Sequence, residues 1–196
     1  MLIFKTEKRK NRIIEVAGYR QLSLHVVLEN IHDPHNVSAI FRTCDAAGVP
    51  AVSLVYNIEK FPKIGKKSSG SAFKWIEREK YKSVDDCYSF LRKHGFKIYA
   101  SSITAGAKSL YELNLKEKCA IVLGNEHRGV SDEAAKLADE KFLIPMYGMV
   151  QSLNVSVATA VVLYEAVRQR EGEKMYSQNK TGTEELEALI NKLSTK

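Results

Sequence analysis

Five short stretches of this chain are rich in Val, Ile and Leu and show little polar alternation: LHVVLENI (Leu24 to Ile31), AVSLVY (Ala51 to Tyr56), FKIYAS (Phe96 to Ser101), CAIVLGN (Cys119 to Asn125) and KFLIP (Lys141 to Pro145). A strand with one wet face alternates apolar and polar residues. These do not, so both of their faces should be covered, as in a parallel sheet. Helical spacing falls between them, over Asn36 to Ala47, Ser83 to His94, Ser131 to Ala138 and Val155 to Arg170. Parallel neighbours need such crossovers, which predicts an α/β fold with a parallel sheet flanked by helices. The 196 residues suffice for one full core with a tail. Residues 171–182 read as a polar linker. In the following TEELEALINKL (Thr183 to Leu193), Leu186, Leu189, Ile190 and Leu193 share one helical face. That face needs its own body or a second subunit to pack on.

The net charge is +7, with 30 Lys and Arg against 23 Asp and Glu. Lysines and arginines cluster in KTEKRKNR (Lys5 to Arg12) and KIGKKSSG (Lys63 to Gly70). Such runs suit a polyanionic partner, although a solvated face has the same composition. Few aromatic residues interleave with them, which favours recognition of nucleic-acid shape over base stacking. Cys44, Cys87 and Cys119 are far apart and the five histidines are scattered. That pattern points to a reducing, cytoplasmic compartment without a metal site. MLIFK does not read as a signal peptide, and the apolar run Val157 to Leu163 is too short for a membrane span. A dinucleotide enzyme is disfavoured, because no G-x-G-x-x-G follows the first strand and no phosphate-binding GxxxxGK[ST] occurs.

Three segments carry the candidate chemistry. In HDPHNVSAIFRTCDAAGV (His32 to Val49), Asn36 is suited to cap the helix, and Val37, Ile40, Phe41, Cys44 and Ala47 form its apolar stripe. Arg42 lies on the other face, where it could simply pair with Asp45, and Gly48 suits the C′ position. In IVLGNEHRGVSDEA (Ile121 to Ala134) a buried strand ends at Gly124, and Ser131 begins a helix. Glu126 sits between them on a strand-exit loop, at the edge where open α/β sheets bind ligands. In IPMYGMVQSLNVSVATAVVLYEA (Ile144 to Ala166) only Ser156 and Thr159 are polar between Val155 and Leu163. A helix apolar all round belongs in a core or a subunit interface. The loop before it, Met146 to Asn154, should then be partly buried, with backbone groups in need of partners. A heterocycle such as adenine offers both donors and acceptors, and Met149 and Leu153 could sandwich its ring.

In order and spacing these segments resemble the three motifs of the SpoU class of RNA ribose 2′-O-methyltransferases, from about Leu24 to Arg170. Within the class the chain is most similar to the tRNA (guanosine-2′-O-)methyltransferases, which modify the D-loop guanosine at tRNA position eighteen. The resemblance implies a parallel sheet whose C-terminal segment forms a deep trefoil knot, a topology that the rarity of knots would otherwise exclude. It implies S-adenosylmethionine as cofactor, tRNA as substrate and a homodimer. It divides the chain into a basic arm (1–22), a methyltransferase domain (23–170) and a linker with a C-terminal helix (171–196). Asn36, Arg42, Glu126, Ser152 and Asn154 match catalytic positions. Gly124, Ile144, Met146 and Leu153 match cofactor positions, and Ser101 stands where many relatives have Thr. Arg168 matches a phosphate-binding position, and Arg9, Arg12, Arg20 and Lys66 are the further RNA-binding candidates. Leu22 replaces a proline common in related arms. The class assigns the proton of the reacting hydroxyl to Arg42. A guanidinium, with a pKa above about 12, stays charged. Its expected role is therefore to stabilise the developing alkoxide while Glu126 orients, with His35 as the rival base. The same chemistry on the wobble nucleotide or on ribosomal RNA, and a silent RNA-binding protein on this scaffold, are the alternatives.

Overall fold

The computed structural model describes residues 6–64, 72–177 and 183–196. Its strands are β1 (Leu24–Glu29), β2 (Ala51–Val55), β3 (Glu77–Tyr81), β4 (Lys97–Ser101), β5 (Lys108–Ser109), β6 (Cys119–Leu123) and β7 (Glu140–Leu143). They form one sheet in the order β3-β2-β1-β6-β4-β7-β5, and every pairing is parallel. The helices are α1 (Glu7–Tyr19), α2 (Pro34–Ala46), α3 (Ala72–Trp75), α4 (Val84–Lys93), α5 (Asp132–Leu137), α6 (Val155–Gly172) and α7 (Thr183–Ser194).

All five expected strands are present. The central pair, β1 and β6, is buried along its whole length, which is why those sequences do not alternate. Leu24, Val26 and Leu28 of β1 meet α2 and α6 through Val37, Ile40, Phe41, Val162 and Leu163. Val27, with Ile98 and Val122, meets α4 and α5 through Val84, Cys87, Tyr88, Leu91 and Ala134. Each such side chain contributes about 1.5–3 kcal/mol by leaving water, so two covered faces stabilise the sheet far more than one. The three cysteines are free and buried, as small core residues.

Two strands went unrecognised in the sequence. β3 reads EREKY and lies at the sheet edge, half-buried on one face and exposed on the other. Its charges resemble a loop, yet an edge strand needs only one dry face. β5 has two residues, too few for any pattern.

The basic arm contains a helix. Thr6 caps α1 by accepting from the Arg9 amide at 3.2 Å, and Ile13 and Ala17 pack with Leu193, Leu189 and Leu186 of α7. The last helix therefore packs on its own chain. Arg20, expected to touch RNA, is instead 4% exposed. Its guanidinium donates to Asp45 Oδ1 at 2.6 Å and to the Val49 carbonyl at 3.0 Å, holding a cation at the C-terminal end of α2. The expected partner of Arg42 is thus occupied by Arg20.

The α6 helix continues to Gly172, and the turn beyond it is held down rather than trailing as a linker. Tyr176 Oη donates to the Ala47 carbonyl at 2.8 Å, and Gln21 Nε2 donates to the Met175 carbonyl at 3.0 Å. Arg170 is fully buried. It donates to the carbonyls of Leu115, Glu117 and Ser23 and to Ser23 Oγ and Gln21 Oε1, at 2.8–3.2 Å. Neutral oxygens satisfy its donors and tie α6 to the β5–β6 connection and to the start of β1.

Candidate active site and cofactor loop

Because all strands run the same way, their C-terminal ends share one edge, and β6, β4 and β7 are neighbours there. Ser101 ends β4, flanked by Gly124 after β6 and Ile144 after β7. A Cβ on Gly124 would stand 2.1 Å from the backbone of Gly129 and Val130, so only glycine fits. The loop beyond folds back on itself. Asn125 Oδ1 accepts from the amides of His127 and Arg128 at 3.0 and 3.2 Å, and Gly129 closes the turn at φ +70°.

That turn aims Glu126 at the loop after β1. Its carboxylate accepts from the amides of His32 and Asp33 at 3.0 and 3.1 Å and from Asn36 Nδ2 at 2.9 Å. Burial alone would raise its pKa, but the donors from Asn36, His32 and Asp33 outweigh burial and hold the carboxyl below its ordinary value. Asn36, 7% exposed, accepts from Asn154 Nδ2 at 3.0 Å. Asn154 in turn caps α6, accepting from the Ser156 amide at 2.9 Å and its hydroxyl at 2.6 Å. Asn36 is not the cap of α2, as the sequence had indicated. Asp33 takes that position, accepting from the His35 amide at 2.7 Å, which frees the Asn36 amide to bridge two loops.

Arg42 and Ser152 do not join this network. Six residues beyond Asn36, Arg42 lies about 9 Å further along α2 and on another face. It is exposed and, among the described residues, has no hydrogen-bond or ion-pair partner. Ser152 is exposed on the loop before α6. That loop is not buried as expected, since Tyr147 and Met149 are 96% and 99% exposed. The reason is local: α6 shields the sheet with one side and leaves Val157 and Tyr164 half-exposed on the other. Within the described residues no hydrogen bond engages residues 146–153, so their amides and carbonyls are open to a ligand. Ile144, Met146 and Leu153 are half-buried beside them.

Of the RNA-binding candidates, Arg9 is half-buried over the Trp75 ring at 5.8 Å. Arg12 is exposed and paired with Glu15 at 2.8 Å. Arg168 is exposed and gripped by Glu165 through two contacts of 2.8 Å. Lys66 and most of its lysine-rich run lie outside the described residues. Sequence reasoning missed Asn30, which adopts φ +52° at the end of β1. Its Oδ1 accepts from the amides of Ile58 and Glu59, and its carbonyl accepts from Asn125 Nδ2 at 2.8 Å. The available signal was an asparagine at a strand end, the residue besides glycine that best tolerates this conformation. Among the described residues no group of three or more His, Cys, Asp or Glu could hold a metal, and no helix is long and apolar enough to cross a membrane.

The family described as SpoU rRNA Methylase matches residues 23–164, which span the sheet, the asparagine network and most of α6. The chain belongs to the SpoU methylase family. It is 46% identical over 166 residues to the tRNA (guanosine(18)-2′-O)-methyltransferase of Thermus thermophilus, covering 85% of each protein. The crystal structure of the Aquifex aeolicus TrmH/SpoU tRNA modifying enzyme superposes with a TM-score of 0.89 at 40% identity, covering 96% of both chains. The SpoU methyltransferase AviRb of Streptomyces viridochromogenes, in complex with AdoMet, gives a TM-score of 0.67 at 27% identity. That match covers 76% of this chain and 60% of AviRb. Glu126, Asn36 and Asn154 all lie within the SpoU region.

Proposed function

We propose that this protein transfers a methyl group from S-adenosylmethionine to the ribose 2′-oxygen of a tRNA guanosine, the D-loop nucleotide at position 18. The observation that carries the reading is the bonded series Glu126–Asn36–Asn154 on the strand-exit edge, beside a loop whose backbone is unengaged. It occurs in a chain 46% identical to an enzyme named for that reaction. The match to the Aquifex tRNA modifying enzyme extends over the flanking helices, which favours tRNA position 18 over the wobble nucleotide or ribosomal RNA.

The residues present fit the cofactor. Backbone amides and carbonyls of 146–153 suit an adenine edge, half-buried Ile144, Met146 and Leu153 suit its faces, and Ser101 and Gly124 line the strand ends alongside. When bound, S-adenosylmethionine supplies an electrophilic methyl group on a sulfonium. The protein's task is to hold the ribose oxygen in line with that methyl and to manage one proton. Glu126, saturated by amide donors, is a poor proton acceptor and serves to fix Asn36, Asn154 and the two loops. Arg42, which has no partner among the described residues, stabilises the developing alkoxide, and Ser152 contacts the substrate.

Two larger features belong to the same reading. The final segment is threaded as a deep trefoil knot. In support, β7 lies between β4 and β5, the connection from β5 to β6 crosses β7 and β4, and α6 is bonded to that connection through Gln169 and Arg170. The protein acts as a homodimer, with exposed Tyr147, Met149, Val157 and Tyr164 as the apolar surface that a second copy covers.

The test is methyl transfer from labelled S-adenosylmethionine to an unmodified tRNA transcript, mapped by nuclease digestion and mass spectrometry. The expected product is 2′-O-methylguanosine in the D-loop. A methylated wobble nucleotide, or none on tRNA, contradicts the reading.

A further inference from the structure

We infer that the outer face of the β3 edge, centred on Arg78 and Lys80, is a second tRNA-contacting surface. This inference rests on tRNA being the substrate.

The strand sorts its charges by face. Glu77, Glu79 and Tyr81 are half-buried, and Arg78 and Lys80 are exposed. Both acids are engaged on their own side: Glu77 pairs with Lys192 of α7, and Glu79 accepts from Tyr81 Oη at 3.2 Å and Ser53 Oγ at 3.4 Å. On the opposite side Arg78 lies 3.9 Å above the Phe73 ring, and the Lys80 ammonium is 5.9 Å from Phe61. On α3, the Lys74 ammonium is 5.0 Å from the ring of Trp75, which packs toward α1 and α7. Phe73 contacts both Phe61 and Phe41, at 6.3 and 4.7 Å between ring centroids. Phe41 is the α2 residue immediately before Arg42. The basic face of β3 and Arg42 therefore share the α2 side of the sheet.

Several exposed cations elsewhere have carboxylate partners, as in Arg12–Glu15, Arg92–Asp139, Lys116–Glu173 and Arg168–Glu165, while others, such as Lys8, Lys93 and Lys136, have none among the described residues. Arg78, Lys80 and Lys74, with Lys60 and Lys63 on the segment before α3, make no hydrogen bond or ion pair among the described residues. Like charges gathered without counter-charges repel, and a phosphate backbone removes that cost. A guanidinium laid flat on an aromatic ring is pre-oriented, with its N–H edge free for bidentate contact with a phosphate. Charges on an edge strand also discourage pairing with another sheet. That protective role needs no aromatic seat and leaves tRNA affinity untouched, which makes the two roles separable.

The experiment uses the full-length chain carrying R78Q and K80Q. Affinity for a tRNA transcript is measured against salt concentration, together with steady-state methylation and cofactor affinity. The expected result is a rise of about tenfold in Kd and KM for tRNA, and a slope of log affinity against log salt reduced by about two. Cofactor affinity should match the parent, which reports that the fold is intact. Unchanged Kd and unchanged slope, with a parent that methylates tRNA, overturn this surface alone. A parent that neither binds nor methylates tRNA overturns the reading on which it rests.

Discussion

Asn36 Nδ2 donates to the Glu126 carboxylate at 2.9 Å although 90 residues separate them. Through this bond the loop after β1 and the loop after β6 share one carboxylate, and Asn154 adds the loop after β7. Glu126→Gln retains the size but loses the charge and puts an NH2 group where an acceptor is needed. The variant should lose about 1–2 kcal/mol of stability. It should also lose about 10²-fold in kcat from misplaced substrate groups. The sign with pH follows from the lowered carboxyl pKa. In the parent this contribution is present above the ordinary value of 4.5 and is lost as pH falls below it, whereas the variant has no such component. Thermal melts from pH 6 to 3 check it, and parallel acid profiles for the two proteins would refute it.

Gly124 is held by its contact with the Gly129 backbone rather than by its dihedral angles. A methyl group there meets backbone atoms at 2.1 Å that cannot rotate away. Gly124→Ala should cost about 3 kcal/mol or more and weaken cofactor binding by displacing the turn that carries Glu126. Calorimetric titration with S-adenosylhomocysteine and a chemical denaturation curve measure both effects. A variant with parental stability contradicts the close approach.

Far from the site, at the opposite end of β1, His25 is 5% exposed and hydrogen-bonded to Ser53 Oγ at 2.8 Å. Desolvation lowers its pKa from 6.5 to about 4, so the folded protein holds it neutral. Its contribution is complete above pH 6.5 and is lost as pH falls toward 4, amounting to about 3 kcal/mol. His25→Gln keeps a partner for Ser53 and should flatten the stability profile between pH 6.5 and 4. A variant with the same slope as the parent places the titration elsewhere.

Arg42 and His35 are both exposed and about two helical turns apart on α2, so they make a direct contrast. Arg42→Lys should lower kcat by about 10²- to 10³-fold, the scale of losing a donor to a developing oxyanion. His35→Ala should stay within a few-fold of the parent. Turnover lost with His35→Ala and retained with Arg42→Lys reverses the assignment.

The sheet was legible because its central strands are buried on both faces and must be written in Val, Ile and Leu. β3 was illegible for the opposite reason, being an edge whose acids and bases serve two different surroundings. Glu126 and Asn154 were readable as motif residues, but the role of Asn36 was not. Capping is a local property that Asp33 fulfils, and the bridge to Glu126 depends on loops far apart in sequence. Arg20 looked like a basic-arm residue available to RNA, and only the return of the chain along α2 shows it buried against Asp45. The exposure of Met149 and Tyr147 was likewise invisible, since an apolar sequence does not say whether the same chain or a second copy covers it.

The most direct test of the proposed reaction replaces a single atom of the acceptor. Methyl incorporation is compared between a tRNA transcript and the same tRNA carrying 2′-deoxyguanosine at position 18, with equal binding verified by competition. Incorporation should fall to background with the deoxynucleotide. Undiminished incorporation would mean that the methyl group goes to another atom, and that the Glu126–Asn36–Asn154 site serves a different substrate.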